Sequence, residues 1–370
     1  MRSEESSTTS HQHLFHEPSA QQDPCHRYRA NSAPARVART SPKGPSMPES
    51  AEPMRTAVLT GPRAFRIEDC APPQPKPHQI RVRMQGCGLC ASSLPVWEGR
   101  PWFSYPLPPG APGHEGWGRI DAVGDGVHHL GVGARVAVVC EQALSTHVVV
   151  DAAHAAVIPS TLAGQPVPGE PIACAINIFR RSDIAAGHVV AIVGVGFLGA
   201  LLTRLARDAG AHVIAVSRRP SSLDLALRYG AAEALSMDDP DGVRQRIDTL
   251  TDGAGCHRVI EAVGLQEPLT LATDLVRVRG RLIIAGFHQD GPRSIDMTTW
   301  NLRGIDVINA HERDPRVYVE GMRAGIEAVA RGKIDPSPLY THTFALDRLG
   351  DGFEIMAARA DGVIKPLIRI

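Results

Sequence analysis

The fold is decided by the stretch His188-Val189-Val190-Ala191-Ile192-Val193-Gly194-Val195-Gly196-Phe197-Leu198-Gly199. Its first six residues are mostly apolar and rich in valine and isoleucine, which predicts a buried strand. An apolar segment at 197–208 follows the glycines and predicts a helix that ends near Gly210. A strand, a glycine turn and a helix in this order are the setting in which a GxGxxG sequence binds a dinucleotide.

Each glycine of the turn has a separate task in such a site. Gly194 permits the tight turn, Gly196 lets a pyrophosphate approach the backbone, and Gly199 lets the helix pack on the strand. The first helical residues, Phe197 and Leu198, present free N–H groups and the positive end of the helix dipole to the phosphates. We therefore predict that all five of these residues bind the cofactor.

The residues that follow the next predicted strand, 212–216, indicate which dinucleotide is bound. A carboxylate at this position would hydrogen-bond the ribose hydroxyls of NAD and repel a 2′-phosphate. The chain has Ser217, Arg218 and Arg219 instead, and guanidinium groups suit phosphate. We predict that NADP(H) is preferred over NAD(H). The alternative is two solvated arginines in a loop.

Further along the chain the pattern of strand, turn and helix repeats, which predicts a doubly wound parallel sheet over residues 175–308. The preceding part, 54–165, contains short β-like runs between glycine and proline turns. Residues 1–52 are rich in Ser, Pro, His and charge, so they are predicted to be a disordered leader, and Met47 or Met54 is an alternative start. The remaining predicted elements are strands at 56–59, 80–84, 135–139, 259–260, 281–284 and 364–370 and helices at 223–229 and 316–331.

Composition excludes several classes of function. The 39 basic and 39 acidic residues balance, which gives no indication of a nucleic-acid or membrane partner. The most apolar run, 188–205, contains three glycines and Arg204 and is too short to span a bilayer. Seven irregularly spaced cysteines do not indicate a disulfide framework. Since the N-terminus also lacks an apolar targeting segment, we expect a cytoplasmic protein.

A cysteine and a histidine upstream of the dinucleotide turn form a candidate metal site. Cys90 precedes His114 by 24 residues, and thiolate and imidazole are ligands that zinc prefers. A catalytic zinc ion keeps one coordination position open for water or substrate. Taken singly, Cys90 is also consistent with a small buried apolar residue and His114 with an ordinary polar one.

Motifs over residues 54–370 resemble the medium-chain dehydrogenase/reductase family, in its zinc-dependent alcohol dehydrogenase branch, and specifically its polyol and threonine dehydrogenases. The resemblance implies an α/β fold, with a GroES-like β-domain at 54–170, a doubly wound parallel-sheet Rossmann domain at 171–308, and a return to the catalytic domain at 309–370. The four-cysteine structural zinc lobe of some members is absent. The matching segments are 88–92, 113–118, 123–124, 133–136, 170–172, 194–199, 260–264 and 364–365.

The resemblance also implies roles for individual residues around one catalytic zinc ion. Cys90 and His114 are the first two ligands, and Glu115 is an adjacent supporting group or occasional ligand. Glu170 is the expected third ligand, with Cys174 as the alternative. Three residues, Cys90, His114 and Ser92, make up the catalytic set, in which Ser92 passes the alcohol proton outward.

Two positions depart from the family pattern, because Ser93 replaces an aspartate and Pro95 replaces a histidine. On the cofactor side, Val263, Gly264 and Gly286 are expected to line the nicotinamide.

The expected activity is reversible hydride transfer between NADP(H) and an alcohol, ketone or aldehyde, by a homo-oligomer that is a dimer or tetramer. Two alternatives stay open: a zinc-free NADPH-dependent quinone or enone reductase, and a catalytically inactive binding protein on the same fold. An aromatic stretch between the metal ligands either lines the substrate pocket or packs the loop, and its members are Trp97, Trp102, Phe103 and Tyr105.

Overall fold

The computed structural model describes residues 53–370, so the predicted leader lies outside the described part. Its first half is built mainly of strands. These are β1 (Met54–Gly61), β2 (Ala64–Cys70), β3 (Gln79–Gly88), β4 (Glu115–Val123), β5 (Arg135–Val138), β6 (His147–Asp151) and β7 (Ala155–Val157), with one short helix, α1 (Leu94–Glu98).

The second half alternates helices and strands. Its elements are α2 (Gly169–Ser182), β8 (Val189–Val193), α3 (Phe197–Asp208), β9 (His212–Ser217), α4 (Pro220–Arg228), β10 (Glu233–Ser236), α5 (Pro240–Thr251), β11 (Cys256–Glu261), α6 (Gln266–Leu275), β12 (Val276–Ile284), α7 (Met297–Arg303) and β13 (Asp306–Asn309). The chain ends with α8 (Pro315–Ala330), β14 (Tyr340–Ala345), α9 (Leu349–Ala357) and β15 (Lys365–Arg369).

Strands β8 to β13 form the predicted doubly wound sheet. They are all parallel and lie in the order β10-β9-β8-β11-β12-β13. From β8, the sheet extends through β9 to β10 on one side and through β11 and β12 to β13 on the other. Helices cover both faces, with separate apolar clusters on each side. The order reverses next to β8, and ligands bind at such a reversal, beyond the carboxyl ends of the strands.

The other large sheet has the order β14-β15-β3-β4-β5-β7, with β6 also paired to β3. Because β15 lies directly against β3, the end of the chain joins the sheet that the first half began. Helices α2 and α8 pack together and share an apolar cluster with Trp117 and Leu367 of this sheet. No helix within residues 53–370 is long and apolar enough to cross a membrane.

The predicted helix at 197–208 has the bounds of α3, whereas α4 begins three residues earlier than predicted. The difference at α4 comes from Pro220, which occupies the first turn, where its missing N–H has no hydrogen bond to lose.

Candidate metal and dinucleotide site

Cys90, His114 and Glu115 come together at the ends of two paired strands. Gly88 of β3 is the register partner of Glu115, the first residue of β4, so Cys90 just after β3 meets His114 just before β4. The thiol, an imidazole nitrogen and a carboxylate oxygen of the three residues all lie within 4.8 Å of one another. His114 and Glu115 are buried. The structure thus brings together three residues that the sequence analysis named as metal-binding, and their binding of a metal stays a prediction.

The imidazole of His114 is oriented by the backbone. Its Nδ1 lies 3.1 Å from the carbonyl oxygen of Pro112, which leaves Nε2 for the cluster. Ser93, which stands where the family has an aspartate, donates its hydroxyl to the same carbonyl at 3.3 Å. A backbone carbonyl thus fixes the tautomer here, as the hydrogen-bond partners of metal-binding histidines commonly do.

The cluster has a strongly negative electrostatic environment. Burial acts to lower the pKa of His114, but a hydrogen bond and charge from Cys90, with the charges of Glu170 and Glu115, raise it to about 10. Burial acts in the other direction on Glu170, whose pKa is raised despite the opposing influence of His114. Such surroundings favour positive charge at the centre of the group.

Glu115 is held by a lysine from the far end of the chain. Its Oε1 accepts from Lys365 Nζ at 2.5 Å, and both side chains are almost wholly buried. Its Oε2 is buried without a hydrogen-bond partner among residues 53–370. Gly88 is required beside it, because a Cβ at that position would lie 2.0 Å from Oε2. Lys365 also lies 5.0 Å above the ring of Phe197, the first residue of α3.

These residues fit a zinc ion. A thiolate, an imidazole and a carboxylate are the donors that zinc takes in catalytic sites. A second observation also favours a bound cation: Glu115 Oε2 has no hydrogen-bond partner among residues 53–370, although a buried carboxylate oxygen ordinarily has one. Together these observations make the cluster a candidate zinc site.

Glu170 and Cys174, the two candidates for the third ligand, lie outside the 4.8 Å group. They occupy successive turns of α2, with the sulfur 3.9 Å from Glu170 Oε1. Between them lies the hydroxyl of Tyr318 from α8, 2.5 Å from Glu170 Oε1 and 2.9 Å from Cys174 Sγ. Sequence reasoning missed Tyr318, because no motif marks it and it is far from both partners along the chain.

Ser92 lies beside the first ligand, and its hydroxyl donates to the sulfur of Cys90 at 3.1 Å. The neighbouring aromatic stretch is divided by the structure. Trp97 is fully buried and stacks on Phe353 with ring centroids 5.5 Å apart, so it packs the loop. Trp102 is 43% exposed and contacts Phe103, with ring centroids 5.9 Å apart.

The glycine turn has the shape that a dinucleotide requires. Gly194 has φ of 105°, in the left-handed region, and a Cβ there would lie 2.5 Å from the side chain of Val263. A Cβ at Gly199 would lie 2.0 Å from the carbonyl oxygen of Gly194. A Cβ at Gly196 would meet nothing within 4 Å, so the space in front of it is open to a phosphate. Phe197 and Leu198 open α3 directly behind this space.

Ser217 ends β9 and is buried. Arg218 pairs with two exposed carboxylates, Glu267 at 2.5 Å and Asp238 at 3.6 Å. Arg219 points elsewhere and donates to the carbonyl oxygen of Val363 at 2.6 Å. The structure therefore separates two arginines that the sequence had treated as one group.

The predicted nicotinamide-side residues are held by a buried carboxylate. Glu261 Oε1 accepts from the backbone N–H groups of Val263 and Gly264 at 2.7 and 2.8 Å, and its carbonyl oxygen accepts from the N–H of Gly286 at 2.8 Å. His288 Nε2 lies 2.9 Å from Glu261 Oε2.

Arg293 completes this network from the outside. It donates to His288 Nδ1 at 3.0 Å and to the carbonyl oxygen of Gly264 at 2.9 Å. Sequence reasoning had found the loop but not the His288 and Arg293 side chains, which lie in an irregular segment without a motif.

Comparison with known proteins gives two family matches, which together cover more than half of the chain. Residues 76–169 match the alcohol dehydrogenase GroES-like domain, and residues 198–326 match the zinc-binding dehydrogenase domain. An erythritol/L-threitol dehydrogenase of Mycolicibacterium smegmatis is 25% identical, with 86% of this chain and 98% of that protein aligned.

Two solved structures show the same fold. A zinc-binding dehydrogenase of Sinorhizobium meliloti bound to NADP is 25% identical, with a TM-score of 0.76 over 86% of this chain and all of that one. An alcohol dehydrogenase of Escherichia coli complexed with NADH is 23% identical, with a TM-score of 0.76 over the same shares. The GroES-like and parallel-sheet architecture predicted from the sequence is therefore confirmed.

Proposed function

The chain belongs to the medium-chain dehydrogenase/reductase family, in its zinc-binding alcohol dehydrogenase branch, and on that basis we propose that it is a zinc-dependent alcohol dehydrogenase. It transfers hydride reversibly between NADP(H) and a small alcohol, ketone or aldehyde. The observation that carries this proposal is the buried Cys90–His114–Glu115 cluster with its unpartnered carboxylate oxygen. Lys365 connects this cluster to α3, because it hydrogen-bonds Glu115 and lies over the ring of Phe197, the first residue of that helix.

Cys90 and His114 would hold the zinc ion, with Glu115 beside it and Glu170 from α2 as the third ligand. When bound, zinc supplies Lewis-acid chemistry at the oxygen of the substrate. The carbonyl of Pro112 keeps the His114 ring in the orientation that presents Nε2. The nicotinamide cofactor carries the redox step, and the protein contributes position and electrostatic field.

Ser92 would carry the substrate proton. Its hydroxyl is both a donor and an acceptor, and its present bond to the Cys90 sulfur places it next to the ligand cluster. From there it can take a proton from the substrate oxygen and pass it outward. Ser92→Ala should therefore lower kcat by a larger factor than it raises KM, as measured by steady-state kinetics.

The residues at the end of β9 support the proposed preference for NADP(H). Ser217 offers no carboxylate to repel a 2′-phosphate, and Arg218 is half exposed beside it. Its partners Glu267 and Asp238 are also exposed, and such pairs stabilise a protein by only about 0.2–1 kcal/mol. A phosphate group can therefore replace them as the partner of Arg218 at small cost.

The test of the cofactor proposal compares two arginines. Arg218→Gln should weaken NADPH binding at least tenfold and leave NADH binding unchanged, as measured by fluorescence titration. Arg219→Gln is the matched control, because that guanidinium is engaged with the Val363 carbonyl. Equal binding of NADPH and NADH by the parent protein would argue against the preference.

Metal content tests the main proposal. Elemental mass spectrometry of the purified protein should find about one zinc ion per chain, and Cys90→Ser should lose both zinc and turnover. Cys70→Ser is the control, since Cys70 is an exposed cysteine away from the cluster. A parent protein that contains no zinc after growth with added zinc, yet reduces quinones or enones with NADPH, would favour the zinc-free reductase.

A further inference from the structure

The hydroxyl of Tyr318 contacts both candidates for the third metal ligand. Glu170 and Cys174 lie four residues apart on α2 and therefore share one face of that helix. Tyr318 comes from α8, which packs along α2. Its oxygen lies 2.5 Å from Glu170 Oε1 and 2.9 Å from Cys174 Sγ. All three residues are partly buried, and the two contacts lie where α8 packs on α2.

The hydrogen-bond chemistry of the three groups gives the contacts a direction. A tyrosine hydroxyl has one proton, and a carboxylate only accepts. The Tyr318 proton therefore goes to Glu170 Oε1, and the Tyr318 oxygen accepts from the Cys174 thiol. The sulfur is engaged as a donor, and Oε1 of Glu170 is held by the Tyr318 hydroxyl.

We propose that Tyr318 is a positioning residue that selects the third metal ligand, holding the Cys174 sulfur away from the metal and directing Glu170 toward it. Net charge cannot make this choice, because a thiolate and a carboxylate carry the same charge. The choice therefore depends on where the two side chains are held, and Tyr318 contacts both of them. The inference rests on the zinc site of the proposed function.

Cobalt(II) makes the choice visible, since each thiolate bound to cobalt adds a charge-transfer absorption. The full-length protein is stripped of metal and titrated with Co²⁺. The parent should show the band of one thiolate, from Cys90. In Tyr318→Phe the band should rise about twofold, because the released Cys174 joins as a second thiolate ligand. The double variant Tyr318→Phe/Cys174→Ala should return to the intensity of the parent.

Two further variants control the result. Tyr340→Phe removes another buried tyrosine hydroxyl, one without a partner among the described residues, and should leave the spectrum unchanged. Cys174→Ala alone should also match the parent. An unchanged band in Tyr318→Phe, or a weaker band in Cys174→Ala, would overturn the inference. The absence of any thiolate band from the parent would instead contradict the zinc site itself.

Discussion

At the scale of single residues, the three glycines of the dinucleotide turn differ in what surrounds them. Gly199 has no room for a side chain, because a Cβ would lie 2.0 Å from the Gly194 carbonyl oxygen. Gly196 has room, and its φ of −107° is open to any residue. The fold therefore requires Gly199, whereas it leaves room for a side chain at Gly196, where we expect the bound cofactor to set the requirement.

Alanine substitutions should separate these two requirements. Gly199→Ala forces the turn and α3 apart and should lower the free energy of unfolding by about 1–3 kcal/mol. Gly196→Ala should leave stability unchanged but fill the open space, weakening NADPH binding tenfold, or about 1.4 kcal/mol. Urea denaturation and fluorescence titration measure the two effects. Tight cofactor binding by Gly196→Ala would show that the phosphates lie elsewhere.

At the scale of elements, the loop after β11 depends on one buried carboxylate. Glu261 is wholly buried, yet it accepts two backbone N–H groups and contacts His288. A charge in the interior is tolerated when it is hydrogen-bonded in this way. The loop that carries Val263 and Gly264 is therefore held by hydrogen bonds from within the protein.

Removing that carboxylate should disturb both stability and cofactor binding. Glu261→Ala leaves the N–H groups of Val263 and Gly264 without this acceptor, and the loss at the buried Gly264 N–H costs about 1–3 kcal/mol. The melting temperature should fall, and NADPH should bind more weakly because the loop is no longer held. Asp290→Ala, which removes an exposed carboxylate from the neighbouring segment, is the control. Unchanged NADPH affinity in a folded Glu261→Ala protein would mean that this loop does not contact the cofactor.

The C-terminus of α2 contains an acid-sensitive contact. Asp183 caps the helix in the left-handed conformation, with φ of 51°, and its Oδ2 accepts from Arg258 at 2.8 Å. This hydrogen bond and the positive charges of Arg258 and Arg281 hold the pKa of Asp183 below its usual value. A carboxyl group with a lowered pKa stabilises the folded state above its unfolded pKa of about 3.9. That stabilisation is lost as the pH falls through the folded value.

Asp183→Asn should remove this pH dependence. Asparagine tolerates the left-handed conformation, so the variant loses mainly the ion pair. Since the side chain is two-thirds exposed, the loss at pH 7 should be only about 0.2–1 kcal/mol. The difference between parent and variant should shrink as the pH falls below about 4 and disappear once the pH is below the pKa of Asp183 in the folded protein. Urea titrations across this range measure it, and a difference that grows in acid would contradict the assignment.

The sequence predicts a structural feature well when residues close together along the chain determine it, and poorly when distant residues do. The bounds of α3 follow from its neighbouring glycines and apolar pattern, and Cys90, His114 and Glu115 are singled out by short motifs that resemble those of the family. The contact of Tyr318 with Glu170 joins residues 148 positions apart. It depends on how α8 packs on α2, which no local pattern encodes.

At the scale of the whole molecule, the last strand connects the two halves of the site. Lys365 on β15 reaches Glu115 on β4 and lies over Phe197 on α3. Both charged groups are buried, and separating charges from water is costly. The intact pair therefore adds little net stability to the protein, whereas removing one partner alone is strongly destabilising.

Replacing the lysine alone should destabilise the metal-free protein strongly. Lys365→Met leaves Glu115 as an unpaired buried charge, which costs about 3–5 kcal/mol when one partner of such a pair is removed. The double variant Lys365→Met/Glu115→Gln removes both charges and should recover much of this loss. Denaturation of the chelator-treated proteins in a double-mutant cycle measures the coupling. Strictly additive losses would mean that the two residues stabilise the fold independently, and that the last strand does not join the halves of the site through this pair.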